Sequence, residues 1–276
     1  KIKHSYRTLL CCKKKRRIQQ MKRLLGSSLS STCRIEKNAL SRLSNCIPGG
    51  WSGNVTTESG DPVRSCGHWL FHLDIDVLNN DDRVENAGPD GVPVVFDGYR
   101  RMWAGGEIDF LNPILIDSTI EKTVRVTDIQ TKSSKKYDDM IFLTRESTLT
   151  SEHSSPLVVE KTNHVYLKGN ERYSPPLKPV VLDPHEFEWQ RVVRADPVSL
   201  FRFSALTWNS HRIHYDLEHT RNVEGYPDLV VHGPILSMLM LDSFQEVNSW
   251  SVIEKIKFLM PCPKRTKKKQ IISFLI

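Results

Sequence analysis

FRFSALTWNSHRIHYDLEHTRNVEGYPDLVVHGPILSMLMLDSF, residues Phe201 to Phe244, decides the fold of this chain. Asn209, His211 and His214 fall within six positions of one another, and His232-Gly233-Pro234 then opens a strongly apolar run. A helix is expected just before the first cluster. Asp196 can cap it, Pro197 suits its first position, and Phe201, Ala205 and Leu206 supply an apolar face. The run Ile235, Leu236, Met238, Leu239, Met240, Leu241 and Phe244 reads as a second helix that is apolar nearly all round. Such a helix belongs inside a fold, wrapped by other elements. Gly233 before Pro234 leaves backbone N–H groups unpaired at its mouth, where they can meet negative charge developing on a ligand.

Outward from that stretch, charge is distributed unevenly. The chain of 276 residues carries +7, but residues 1–35 hold eleven cations and no acid, and Lys264–Lys269 adds five more cations. Subtracting those sixteen from +7 leaves −9 for the rest, so the body offers no basic face to nucleic acid. No run of about eighteen apolar residues exists, and no membrane span is expected. Cys11, Cys12, Cys33, Cys46, Cys66 and Cys262 show neither metal-finger spacing nor a dense disulfide framework.

Taken in order, residues 1–46 read as a mitochondrial transit peptide or a disordered basic tail. The segment from Met21 is basic, Ser-rich and almost acid-free, and Met21 is a plausible start. Residues 47–170 form a first unit. Its expected strands are Trp69–Leu73, Tyr99–Phe110, Thr123–Ile129, Met140–Thr144 and Leu157–Leu167, with Gly105-Gly106 marking a bulge or a close backbone approach. Residues 171–185 are a Pro-rich connector, and residues 186–261 a second unit led by the strand-like Phe187–Val193. Beyond the apolar helix only Ser251–Met260 and Ile271–Ile276 look strand-like. Residues 262–276 are therefore expected to be a mobile, unpaired basic tail from a truncated or frame-shifted reading.

The string Phe203–His214, FSALTWNSHRIH, resembles the hydratase motif of MaoC-like, type-2 enoyl-thioester hydratases, usually Gly-Asp-x-Asn-Pro-x-His. The pattern's Gly falls on Trp208, its Asp on Asn209, its Asn on His211, its Pro on Arg212 and its His on His214. Val231-His-Gly233 is similar to the entry of the central helix, and Arg101-Met-Trp-Ala-Gly-Gly106 to a stretch of the first half. The whole is most similar to fungal mitochondrial 3-hydroxyacyl-thioester dehydratases of type 2. The resemblance implies an α+β, double hot-dog fold, two curved antiparallel sheets each wrapping a helix, with the second hot dog incomplete. It implies dehydration of (3R)-3-hydroxyacyl thioesters, carried by acyl carrier protein or coenzyme A, with no cofactor and no metal, in a monomer or homodimer.

On that reading His214 is the base and acid, the Gly233 N–H stabilises the thioester enolate, and Asn209 orients a water or hydroxyl. Asn cannot take a proton, so His214 acts alone, or His211 or Asp216 supplies a second function. Arg100, Arg101, Trp103, Trp208 and His211 are the expected substrate contacts. His211 and His214, with Asp216, are also spaced to hold a metal, although no fourth ligand lies near. His219 and His232 read as structural. Two other functions fit: a hydratase for a short dicarboxylyl-CoA such as mesaconyl-CoA, and a non-catalytic acyl-thioester-binding protein.

Overall fold

The computed structural model describes residues 24–47, 49–51, 58–71, 99–132, 140–153, 155–168, 190–248, 252–259 and 271–275. Its first half is β1 (Ser28–Arg34), α1 (Lys37–Ser44), a 3-10 turn Gly67–Leu70, β2 (Tyr99–Phe110), β3 (Thr119–Lys132), β4 (Met140–Ser151) and β5 (Pro156–Lys168). Its second half is β6 (Gln190–Arg194), α2 (Pro197–Leu206), α3 (Gly233–Val247), β7 (Lys255–Leu259) and β8 (Ile271–Leu275).

Period-2 burial builds the sheet. Along β4, Ile141, Leu143 and Leu149 turn inward while their neighbours face out. The strands run β1-β3-β4-β5-β2-β7, all antiparallel. Leu40 and Leu43 of α1 share one buried core with Ile108, Ile120, Leu149 and Val158, so four strands, β2 to β5, face that helix. The second half repeats the opening of that plan, a strand (β6), a helix (α3) and a strand (β7). β7 pairs with β2, Gly106 opposite Phe258 and Ile108 opposite Ile256, which fuses the halves through one sheet. Leu200, Phe203, Ile235, Met238 and Leu239 join the same core as α1. This is a double hot dog, but its second sheet is not the curved antiparallel one expected: among the described residues it is the two-stranded parallel pair β6-β8, while β7 joins the first sheet.

The glycine pair marks the seam. Register shifts between Trp103 and Gly105, which has φ +112°, and a Cβ on Gly106 would meet the Lys161 carbonyl oxygen at 2.2 Å. Only glycine lets β5 approach that closely. On α3, Asp242 is buried and takes Arg64 from the first half and Arg191 from β6, the latter at 3.0 Å; Arg191 also reaches the Ser243 hydroxyl at 3.0 Å.

Several expectations change. Residues 24–46 are not a disordered address: β1 pairs with β3 from Ser28 opposite Arg125 to Arg34 opposite Thr119, and Ile35, Leu40, Leu43 and Cys46 are buried. Basic composition hid an apolar pair one turn apart, and the first unit begins near Ser28 rather than at 47. Residues 1–23 and the connector 171–185 lie outside the described residues. The strand expected from Trp69 does not begin there, since Gly67–Leu70 is a 3-10 turn entered through Cys66 at φ +66°; residues 72 and 73 lie outside the described residues. The 262–276 tail is not wholly unpaired. Ile271–Leu275 lies parallel to β6, Gln190 opposite Ile271 through Arg194 opposite Leu275. Its Ile-Ile-Ser-Phe-Leu composition suits a strand, and β6 offers an edge. α3 is buried on one face only, with Met240 and Val247 exposed, because few strands cover its outer side.

These contacts predict that deleting residues 24–46 abolishes the cooperative thermal transition followed by circular dichroism. Leu40→Ala alone should cost about 2–5 kcal/mol in urea unfolding. A deletion that melts like the full chain would show that β1 and α1 are dispensable.

Candidate active site

α2 starts and stops as its chemistry dictates. The Asp196 carboxylate accepts from the Ser199 N–H at 2.8 Å, and Pro197 occupies the first turn. At the other end the Asn209 N–H donates to the Ser204 carbonyl at 2.8 Å and the Trp208 N–H to Ala205 at 3.4 Å. Trp208 itself stands at φ +54°. This is a Schellman closure, whose left-handed position normally takes glycine. A tryptophan there is strained by roughly 1–2 kcal/mol.

The closure aims the next residues. Asn209 Oδ1 accepts from the His211 N–H at 3.0 Å, turning the chain into the 3-10 turn Arg212–His214. Asn209 Nδ2 has no partner among the described residues. Asp216 then caps the short helix Leu217–His219 through the His219 N–H at 2.9 Å and holds Arg212 at 2.7 Å. Those bonds hold its carboxyl below the usual carboxylate range. A carboxylate so committed is not poised to take a proton.

His214 is buried where this turn meets the segment leading to α3. Its Nδ1–H donates to the Val230 carbonyl at 2.6 Å, and the Val230 N–H returns to Ile213 O at 2.9 Å. Because a carbonyl only accepts, the proton sits on Nδ1 and Nε2 keeps its lone pair. The His214 ring stacks on His232, centroids 3.7 Å apart at 17°, and His211 stands edge-on at 5.6 Å. His232 is fully buried, with Ser204 Oγ 2.8 Å from its Nε2 and Phe203 edge-on at 4.9 Å. One residue on, the Gly233 N–H opens α3 without an acceptor among the described residues, and nothing lies within 4 Å of where its Cβ would be. Burial pushes His214 down to about 4, with His211 adding to the fall and the Val230 bond opposing it. Burial also takes His232 down to about 2, reinforced by His214 and His211.

The structure therefore brings together Asn209, His211, His214 and Gly233. Trp208 borders them, half exposed. It does not bring in Trp103, whose ring sits against Phe258 at 5.4 Å on the seam between the halves. Arg100 and Arg101 lie on β2 opposite Leu167 and Tyr166, and their side chains fall outside the described residues. Sequence reasoning missed Ser204 and Val230 and took His232 as merely structural. No periodicity links Ser204 to a histidine 28 residues later. A cleft opens further along α3, between it and α1, lined by Leu43, Trp51, Ile116 and Met238 with Arg64 and Asp242 at its polar side.

Residues 68–261 match the family described as hydroxyacyl-thioester dehydratase type 2. The chain belongs to that family. It is 34% identical over 196 residues to a mesaconyl-C(4)-CoA hydratase of Chloroflexus aurantiacus, covering 69% of this chain and 66% of the relative. It is 27% identical over 173 residues to the mitochondrial hydroxyacyl-thioester dehydratase type 2 of Schizosaccharomyces pombe, covering 55% and 56%. The chain thus spans between half and two thirds of the length of these relatives. Among solved structures it is similar to a MaoC-like dehydratase, with a TM-score of 0.56, 13% identity and coverage of 85% of this chain and 81% of that one. It is also similar to HtdX of Mycobacterium tuberculosis, with a TM-score of 0.52, 11% identity and coverage of 85% of each. These two likenesses establish the fold.

Two outcomes follow from this geometry. Trp208→Gly should raise stability by about 1 kcal/mol, read from urea midpoints, since the indole is half exposed and the strain is relieved. Both buried imidazoles sit below the ordinary value of 6.5, so the unfolded chain takes up protons first as pH falls. Their contribution is complete above about pH 6.5 and shrinks as pH falls, towards about 4 for His214 and about 2 for His232, by up to ~1.4 kcal/mol per pH unit per group. Urea midpoints measured across that window check it, and His232→Phe should flatten the slope.

Proposed function

We propose that this chain is a hydro-lyase that interconverts (3R)-3-hydroxyacyl and trans-2-enoyl thioesters by loss and addition of water. The observation that carries the reading is the His214 imidazole, buried, with its proton fixed on Nδ1 and stacked on the residue next to Gly233. His214 Nε2 accepts the C2 proton. Negative charge develops on the thioester oxygen, where the Gly233 N–H and the mouth of α3 receive it. The C3 hydroxyl then leaves as water, taking the proton from Nε2 through one water molecule, so proton and hydroxide balance. Asn209 Nδ2 is a donor that can hold the departing or attacking oxygen; it takes no proton.

The acyl chain runs into the cleft between α1 and α3. Met238 to Gln245 lie five to twelve residues from Gly233, roughly 8–18 Å along the helix. The carrier is acyl carrier protein or coenzyme A. The setting we propose is mitochondrial fatty acid synthesis; the names of the yeast relatives, which place those proteins in mitochondria, support the compartment. Hydration of a short dicarboxylyl thioester is the second reading, supported by the name of the Chloroflexus relative. Among the described residues Arg64 is the cation lining the cleft, and its guanidinium is already engaged by Asp242, which favours an uncharged acyl end.

Hydration of crotonyl-CoA and mesaconyl-CoA by the full chain is the test, with the uncharged substrate expected to turn over faster. His214→Ala should lower the rate by roughly a hundred- to ten-thousand-fold while the fold stays intact. Asn209→Ala should cost less and Asn209→Asp should remain active. A loss in His211→Ala as large as in His214→Ala would mean that the proton work is shared. Full activity in His214→Ala would end this mechanism.

A further inference from the structure

His232 is zero per cent exposed, yet its Nδ1 has no partner among the described residues. An orphaned polar atom in a core is destabilising, a cost that a leucine or phenylalanine would avoid. The ring is also held more firmly than packing alone requires. Ser204 Oγ, from the last turn of α2, lies 2.8 Å from Nε2, and Phe203 from the same helix closes edge-on at 4.9 Å. The remaining face is flat against His214 at 3.7 Å. The groups facing this ring that can carry charge are His214 on the 3-10 turn and His211 beyond it; α2 contributes only a neutral hydroxyl. A ring clamped on three sides cannot flip without breaking the Ser204 bond.

We propose that His232, locked by Ser204, is a positioning residue that fixes the plane of the His214 imidazole by face-to-face stacking. The inference rests on the hydro-lyase reading for its rate consequences, though its geometric content stands apart from it. Among the described residues His214 has one hydrogen-bond anchor, the Nδ1–Val230 bond, and a single hydrogen bond leaves the ring free to rock about that axis. The stack removes that freedom and shields one ring face from water. It keeps Nε2 on a fixed line through proton removal and proton return. Small misplacements of a reacting group cost rate steeply. Because His232 stays neutral, the stack also tolerates a proton arriving on His214, which a second cation at 3.7 Å would oppose.

The test compares His232→Leu, His232→Phe and Ser204→Ala in the full chain, with crotonyl-CoA as probe. His232→Leu removes the flat ring and should lower kcat at least tenfold with KM changed less than about threefold. His232→Phe restores a flat ring and should return to within about threefold of the parent. Ser204→Ala, the mildest change, frees the ring to turn and should fall between them. A second readout needs no substrate. In ring-15N nuclear magnetic resonance spectra, His214 should stay a single Nδ1–H tautomer in the parent and in His232→Phe, and become a mixture in His232→Leu or Ser204→Ala. Parental kcat in His232→Leu, or an unchanged tautomer in both looser variants, overturns the proposal. Equal losses in His232→Phe and His232→Leu overturn it too, since nitrogen chemistry rather than position would then be at work. If the parent hydrates nothing, the tautomer comparison still decides the positioning claim, and the function alone has failed.

Discussion

Asp242 is the constraint on which the arrangement of the two halves depends. It lies buried on α3, and it is tolerable there only because a guanidinium arrives from each side. Arg64 comes from the stretch after α1 and Arg191 from β6, so one carboxylate reads the position of both. Breaking a buried pair by removing one partner typically costs about 3–5 kcal/mol, far more than the pair itself contributes. The result is directional rather than merely adhesive. α3 can slide or rotate only by abandoning two charges, and its mouth at Gly233 is held relative to the turn that carries His214.

What could be read from the chain, and what could not, follows from the range of the interactions. The caps of α2, the apolar entry at Pro234, the bulge at Gly105-Gly106 and the strands from Tyr99 to Leu167 are local signals, and the structure carries each of them. The Asn209–His211–His214 grouping was equally local, because one closure and one short turn bring it together. β1 and α1 were missed because charge counting outweighed the spacing of Leu40 and Leu43, and those two side chains share their core with Ile108, Ile120, Leu149 and Val158 on strands far along the chain. The parallel pairing of β8 with β6 has no signature in either segment alone. The clamp on His232 is tertiary as well: Ser204 and His232 meet only because α2 and α3 pack together.

The two irregularities at the site bear on each other. A residue at φ +54° without glycine, and an imidazole nitrogen without a partner, each cost stability in the range of 1–3 kcal/mol. Both lie within one turn of the His214 neighbourhood, whereas the sheet of the first half packs in regular alternation. Left-handed backbone also occurs at Cys66 and Asp117 in the first half, but beside His214 it stands next to an unpartnered buried nitrogen, which marks that neighbourhood as one kept for its geometry.

The seam between β2 and β7 has a consequence for the order of assembly. β3, β4 and β5 meet through neighbouring segments, whereas Gly105 waits for Leu259 and β6 for β8. Contacts separated that far along the chain form late, after loop closure has been overcome. Until β7 arrives, β2 is an open strand edge bearing Ile108 and Phe110, free to add a strand from any chain nearby. Newly made chains therefore pass through a stage in which crowding competes with completion. Refolding yield should fall as protein concentration rises, even where the finished molecule is fully soluble.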